Sequence, residues 1–172
     1  MEDPPHRGLV DRYRAEPHRA AVTQRVRTEL SEGMRCETTS RGHVTVADEP
    51  RSLGGTDTAQ SPVELFLTSI ATCQAATYRL WATELGVAVD RVTVDVEGDI
   101  DLRGYLGVVD GVAPGYTAMR IRVRLEGPET DERYRMLSAE AERHCPMIDV
   151  LVRPVDVTRA LDLGPPPSPP GD

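Results

Sequence analysis

The sequence predicts an α+β domain in which antiparallel sheets wrap around one buried central helix. Three observations lead there. Residues 61–85, SPVELFLTSIATCQAATYRLWATEL, are apolar on nearly every side, as in a helix enclosed by a core. Two later segments alternate with period two. In one, Val92, Val94 and Val96 oppose Thr93, Asp95 and Glu97; in the other, Met119, Ile121, Val123 and Leu125 oppose Arg120, Arg122 and Arg124. The predicted order is strands, buried helix, strands, helix, strand, which is not a regular βαβ alternation.

Residues 1–21 read as a polar N-terminal extension, in which Leu9–Glu16 predicts a short helix with Leu9, Val10 and Tyr13 on one side. The domain spans residues 22–160. Thr23–Leu30 and Met34–Ser40 predict paired strands around a turn at Ser31-Glu32-Gly33. Gly42 marks a second turn before a strand at His43–Ala47. Cys36 shares a strand face with Met34 and Thr38 and is read as a packing residue. Asp48–Gln60, with Pro50, Gly54 and Gly55, predicts a loop.

The central helix opens on a strong start signal. Ser61 can cap free N–H groups, Pro62 suits the first helical position, and Glu64 can reach back to the cap. Gly86 is a natural stop. Phe66, Ile70, Cys73, Thr77 and Leu80 fall on one stripe, at steps of three and four. A thiol in the middle of such a helix is either a small core residue or a protected reactive group.

The two alternating strands carry opposite charges on their outer faces, an acidic stripe and an arginine stripe. Opposite charges on neighbouring strands stabilise pairing, so the two are predicted to be antiparallel neighbours, joined by a Gly-rich loop over 103–116. Thr130–His144 predicts a second helix with Tyr134, Leu137 and Ala141 inward and Cys145 next in the series. Pro146 pushes Cys145 out of helical geometry. Val150–Thr158 predicts a last strand, with Pro154 marking an edge. Residues 161–172, ending GPPPSPPGD, read as a disordered tail.

Composition narrows the function. The chain has 172 residues, enough for one domain with a real core. It holds 28 acidic and 20 basic residues, a net charge of −8, which argues against nucleic-acid binding. Its three cysteines, Cys36, Cys73 and Cys145, form no Cys-x-x-Cys, against a secreted disulfide framework or a zinc knuckle. No apolar run follows a basic start, and Glu64, Gln74, Arg79 and Glu84 interrupt the central helix. The expectation is a cytoplasmic protein without a membrane span.

Two stretches resemble the OsmC/Ohr family: DEP-x-x-LGG-TD-x-x-x-SPVELFL-x-x-x-x-x-C, from Asp48 to Cys73, and ERHCPMID, from Glu142 to Asp149. The resemblance covers Thr23 to Thr158. It implies an intertwined homodimer of α+β subunits with two active sites near the interface. It also implies a two-cysteine thiol peroxidase acting on organic hydroperoxides. Cys73 would be the peroxidatic cysteine and Cys145 the resolving one, with no metal or organic cofactor. An external dithiol would reset the pair; in the Ohr branch it is a lipoylated protein. The family also supplies an arginine from the N-terminal strand region, held by a glutamate at the helix start. Arg41 is the nearest match, with Arg35 as a rival, and Glu64 is the glutamate.

One departure stands out. In typical Ohr sequences the glutamate directly follows the helix-opening proline, a position held here by Val63. Glu64, nine residues before Cys73, lies about 13 Å along the helix and about half a turn out of phase. It can act only through a bridging arginine or across the dimer, and a plain capping role stands beside that reading. Glu49, Gly54 and Gly55 match the family loop and are read as shaping the backbone. His144 is read as a cation at a helix C-terminus. The alternative function is a non-catalytic protein on the same scaffold, binding a small apolar ligand at the dimer interface.

Overall fold

A computed structural model of the chain describes residues 6–30 and 32–164. The first helix, α1, spans Arg7–Ala15 and is followed by a 3-10 turn at Pro17–Ala20. Strands β1 (Arg27–Glu29), β2 (Cys36–Ser40) and β3 (His43–Ala47) form an antiparallel sheet in that order. β1 is shorter than the predicted strand at Thr23–Leu30. The register pairs Arg27 with Thr39, and β2 ends one residue later at the Arg41-Gly42 turn. Residues before Val26, which faces Ser40, therefore run past the end of their partner. Ser31 of the predicted turn lies outside the described residues. This sheet makes no more than marginal contact with the other helices and strands of its chain.

The long helix α2, Pro62–Glu84, is built as its start signal predicts. Ser61 Oγ accepts from the Glu64 N–H at 3.4 Å, and Glu64 Oε2 accepts from the Ser61 N–H at 2.7 Å. At the other end Gly86 takes a left-handed φ of +60, which costs glycine little. The buried stripe differs from the predicted one. It runs Ile70, Gln74, Tyr78, Ala82 in steps of four, while Phe66 and Leu80 are 37% and 40% exposed. Cys73 and Thr77 are half-buried on its flank. A helix apolar all round cannot reveal which side its own chain covers. Here β4 (Arg91–Ile100), α4 (Asp131–His144) and α5 (Pro146–Val152) cover α2, and they leave one side open.

β4 pairs antiparallel with β5 (Tyr116–Glu126), as predicted from their charges. Asp95 lies opposite Arg122 and Glu97 opposite Arg120. Arg120 reaches both Glu97, at 3.0 Å, and Asp99, at 2.7 Å. The connection holds one short helix, α3 (Leu102–Tyr105), where a loop is predicted; Asp101 caps it by accepting from the Arg103 N–H. α4 begins at the Thr130 cap and turns Leu137 and Ala141 inward against Tyr78, Ala82, Val87 and Val89, the core of the domain.

The predicted strand at Val150–Thr158 is not formed. Pro146 occupies the first position of a new helix instead, and the Asp149 N–H closes its first turn on the Cys145 carbonyl at 3.0 Å. Arg153 pairs with Asp149 one turn back. Pro154 then stops the helix. Residues 153–164 carry neither helix nor strand. The apolar alternation at Val155 and Val157 is real, but an alternation becomes a strand only beside a partner edge. Of the predicted tail, residues 161–164 are exposed, and residues 165–172, like residues 1–5, lie outside the described residues. Among the described residues no helix is long and apolar enough to cross a membrane.

Candidate active site

The loop that leads into α2 is fixed by one buried carboxylate. Asp48 Oδ2 accepts from the N–H and hydroxyl of Thr56, at 3.1 and 2.6 Å, and from those of Thr58, at 3.1 and 2.9 Å. These bonds, the Thr56 hydroxyl foremost, hold the Asp48 carboxyl well below the usual carboxylate range, although burial opposes them. A Cβ on Gly55 would lie 1.7 Å from the Glu49 carbonyl oxygen, so the chain can pass there only as glycine. The loop motif is architecture that sets where α2 begins.

Nine residues into α2 from Glu64 stands Cys73, and its Sγ lies 3.7 Å from Cys145 Sγ. Both thiols are free. Cys145 is buried; Cys73 is partly accessible. The approach follows from local rules. Cys145 continues the inward series of Leu137 and Ala141 on α4, and Pro146 breaks the helix there. Cys145 is thus extended, with φ −82 and ψ 114, and ends one helix while it begins the next.

Burial pushes the Cys73 thiol above the ordinary cysteine value. The Met147 N–H in the first turn of α5 pulls it the other way, Cys145 adds to the rise, and the Thr77 hydroxyl lowers it slightly. No arginine is among the described groups that act on it. Around the pair, the Trp81 and His144 rings stack with centroids 4.3 Å apart, and His144 sits 3.6 Å from Glu140. On the same helix pair, the Tyr78 hydroxyl meets half-buried Ser138 Oγ at 2.7 Å, and Ser138 Oγ donates to Oε1 of exposed Glu142 at 3.1 Å.

The remaining predicted residues lie apart from the thiols. The Glu64 carboxylate is engaged at the helix start, where the Ser61 N–H and hydroxyl hold its pKa below the ordinary value. Arg41 is exposed on the β2–β3 turn with a left-handed φ of 57. Arg35 pairs with Glu37 at 2.6 Å. Tyr78, Ser138 and the Met147 N–H are neighbours of the site that sequence reading passed over. Their partners come from distant segments, and no local pattern in the sequence pointed to them. Among the described residues no group of three His, Cys, Asp or Glu side chains is arranged to hold a metal ion.

No curated protein sequence matches the chain. Several solved structures do. It is similar to an OsmC-like protein from Mycoplasma pneumoniae, with a TM-score of 0.67 and 17% identity over 77% of this chain and 89% of that one. An organic hydroperoxide resistance protein OsmC from Legionella pneumophila gives 0.58 and 20%, over 77% and 90%. The organic hydroperoxide resistance protein OhrB of Bacillus subtilis gives 0.53 and 18%, over 78% and 94%. At these identities the likeness speaks for the fold, a mixed domain with antiparallel sheets. The family model described as OsmC-like protein matches residues 55–159, a stretch that includes α2, the β4–β5 pair and both cysteines of the contact. The chain belongs to the OsmC-like protein family.

Proposed function

We propose that this protein is a homodimeric thiol peroxidase that reduces organic hydroperoxides at the Cys73–Cys145 pair, in defence against oxidative stress. The observation that carries the reading is the 3.7 Å contact between two free thiols 72 residues apart in the chain. The hydroperoxide resistance proteins among its structural relatives support the same direction. The Cys73 thiolate attacks the distal peroxide oxygen, the O–O bond breaks, and the alkoxide leaves as alcohol after taking a proton. Cys73 is now a sulfenic acid. Cys145 attacks its sulfur, water leaves, and a disulfide joins the pair. An external dithiol, a lipoylated protein being one candidate, then exchanges with that disulfide and restores both thiols. The sulfur carries the redox change, so the cycle needs no further cofactor. A reducing compartment such as the cytoplasm suits a couple reset in this way.

A second copy of the chain belongs to the proposal. A buried thiol needs a neighbouring cation to ionise, and the described groups acting on Cys73 include no arginine. Among the described residues the β1–β3 sheet makes no more than marginal contact with the other helices and strands, and a small sheet so weakly supported is marginal alone. A partner that covers the sheet can bring an arginine to the thiol. Arg35 is already paired with Glu37, which favours Arg41, and Glu64 would hold the arginine across the interface. One titration tests the chemistry. One equivalent of an organic hydroperoxide should remove two thiols per chain, and Cys73→Ser should abolish the loss. If Cys73→Ser consumes peroxide as fast as wild type, the enzyme reading fails.

One observation favours the second reading, a binding protein. A groove of about 750 Å³ lies between the first half of α2 and β4 and β5, lined by Leu67, Ala71, Val94, Val96 and Ile121 together with charged residues of both strands. It would take a small apolar ligand, and the thiols would be incidental. The same titration separates the two, because a binding protein keeps its thiols.

A further inference from the structure

The contact between Cys73 and Cys145 depends on how α4 lies along α2. Tyr78 faces Ser138 and Cys73 faces Cys145, so the two helices run antiparallel. Most of their interface is apolar, with Leu137 and Ala141 against Tyr78 and Ala82. Apolar contacts are not directional. A small slide or swing of α4 would keep these side chains buried and still separate two sulfurs that touch only at 3.7 Å. Something directional must hold the register.

The Tyr78–Ser138 bond meets that need. Tyr78 is 1% exposed, and its hydroxyl meets Ser138 Oγ at 2.7 Å. Ser138 has a single hydroxyl proton and gives it to Glu142 Oε1 at 3.1 Å, so Tyr78 must be the donor in the first bond. The chain therefore has one polarity: the tyrosine donates to the serine, and the serine donates to the carboxylate. A carboxylate at the end strengthens both links. Ser138 lies seven residues before Cys145, two helical turns, and so on the same side of α4. The bond sits where it controls the placement of the resolving thiol. At the far end of α4 the Arg133 Nη2 bond to the Gly86 carbonyl, at 2.7 Å, holds the helix as well, but three turns away from the thiols.

We infer that Tyr78, acting through Ser138 and Glu142, is a positioning residue that holds Cys145 against Cys73 and so sets how readily their disulfide closes. The inference rests on the reading of the two thiols as a redox pair. In the reduced protein the bond confines α4 to arrangements in which the sulfurs touch. In the oxidised protein the covalent bond does this itself. A contact that matters more to one state than to the other shifts the equilibrium between them. Loss of the bond frees the reduced state and leaves the oxidised state nearly as ordered as before, so closure becomes less favourable.

The test is the equilibrium of the purified full-length protein with mixtures of reduced and oxidised glutathione, read by thiol counting after acid quench. Cys36→Ser serves as background, so only the pair is counted. Tyr78→Phe keeps the ring and removes the hydroxyl. It should lower the equilibrium constant for closing the disulfide about fivefold, the worth of one net hydrogen bond. Ser138→Ala should do the same, and the double variant should lose no more than either alone, because both break one chain. Ser138→Thr keeps a hydroxyl and should stay near the wild-type value. Melting temperature is measured alongside. If Tyr78→Phe lowers it and leaves the closure constant unchanged, the bond supports the fold only and the inference is overturned. If the double variant loses the product of both effects, the two hydroxyls act separately and the chain is overturned. The controls keep the two readings apart. A wild-type pair that closes with oxidised glutathione but not with a hydroperoxide ends the peroxidase reading and leaves the positioning role standing. A pair that closes with neither ends both.

Discussion

Cys73 brings together the two demands on a redox-active residue, protection and reactivity. Burial raises its pKa and so removes thiolate at neutral pH, while the proposed chemistry needs the thiolate. If a partner arginine resolves this conflict, alkylation will show it. In a Cys145→Ser background, the pH profile of iodoacetamide modification at Cys73 should give a pKa below the ordinary cysteine value of about 8.5. Arg41→Ala should move that profile up by about one unit, which slows modification roughly tenfold at neutral pH. An unmoved profile removes Arg41 from the site. Asp48 makes an independent prediction. Its native pKa lies below that of the unfolded carboxyl, so its stabilisation is complete above about pH 3.9 and erodes as the pH falls from there towards the native value. Asp48→Asn should melt lower than wild type at neutral pH, and the gap should narrow below about pH 4. A gap constant over that range would mean that the charge is not what holds the loop. At this scale the sequence was readable where chemistry and local context coincide. Cys145 is followed by Pro146, and that pair announces a thiol at a helix break. Tyr78 announces nothing, because its partner Ser138 lies 60 residues on.

Among the elements, what could be read ahead was what neighbours in sequence decide. The capping box of α2 needs only Ser61 and Glu64, and the pairing of β4 with β5 needs only two complementary charged faces. What could not be read depends on contacts made elsewhere. The covered side of α2 is chosen by α4 and β4, so Gln74 is buried and Phe66 is not. A strand at Val150–Thr158 requires an edge to pair with, and Pro146 meanwhile offers a helix start that needs no partner. Glu64 illustrates how a local role and a distant one are told apart. As a cap alone, Glu64→Ala should cost about 1 kcal/mol of stability, measured by denaturant unfolding, and leave the Cys73 modification rate unchanged. Glu64→Gln should recover part of that stability, since an amide can accept the same bonds. A fall in thiol reactivity in both variants, beyond what stability explains, would give Glu64 a role in the site.

At the scale of the whole molecule, the single chain is unfinished in three places at once. Among the described residues one side of α2 is open, with Phe66 and Leu80 exposed; the β1–β3 sheet makes no more than marginal contact with the other helices and strands; and Val155, Val157, Leu161 and Leu163 lie outside any helix or strand, 49–83% exposed. Apolar surface so distributed suits the proposed homodimer if its subunits wrap around each other rather than touch at a single patch. The proposed homodimer makes a prediction no monomer shares, and subunit mixing reads it. Cys73→Ser protein should be inactive with an organic hydroperoxide, and Arg41→Ala protein about tenfold slower than wild type. After unfolding together in equal amounts and refolding, half the dimers are mixed. In a mixed dimer the Arg41→Ala chain keeps both cysteines and faces a partner with Arg41 intact, so one site in two is complete. Activity should return to about a quarter of wild type, the fraction that random pairing of two-fold dimers dictates. If Arg41 serves the thiol of its own chain, the mixture stays no more active than the Arg41→Ala parent, because no chain carries both residues. Recovery to a quarter would place the cation in one subunit and the thiols it activates in the other.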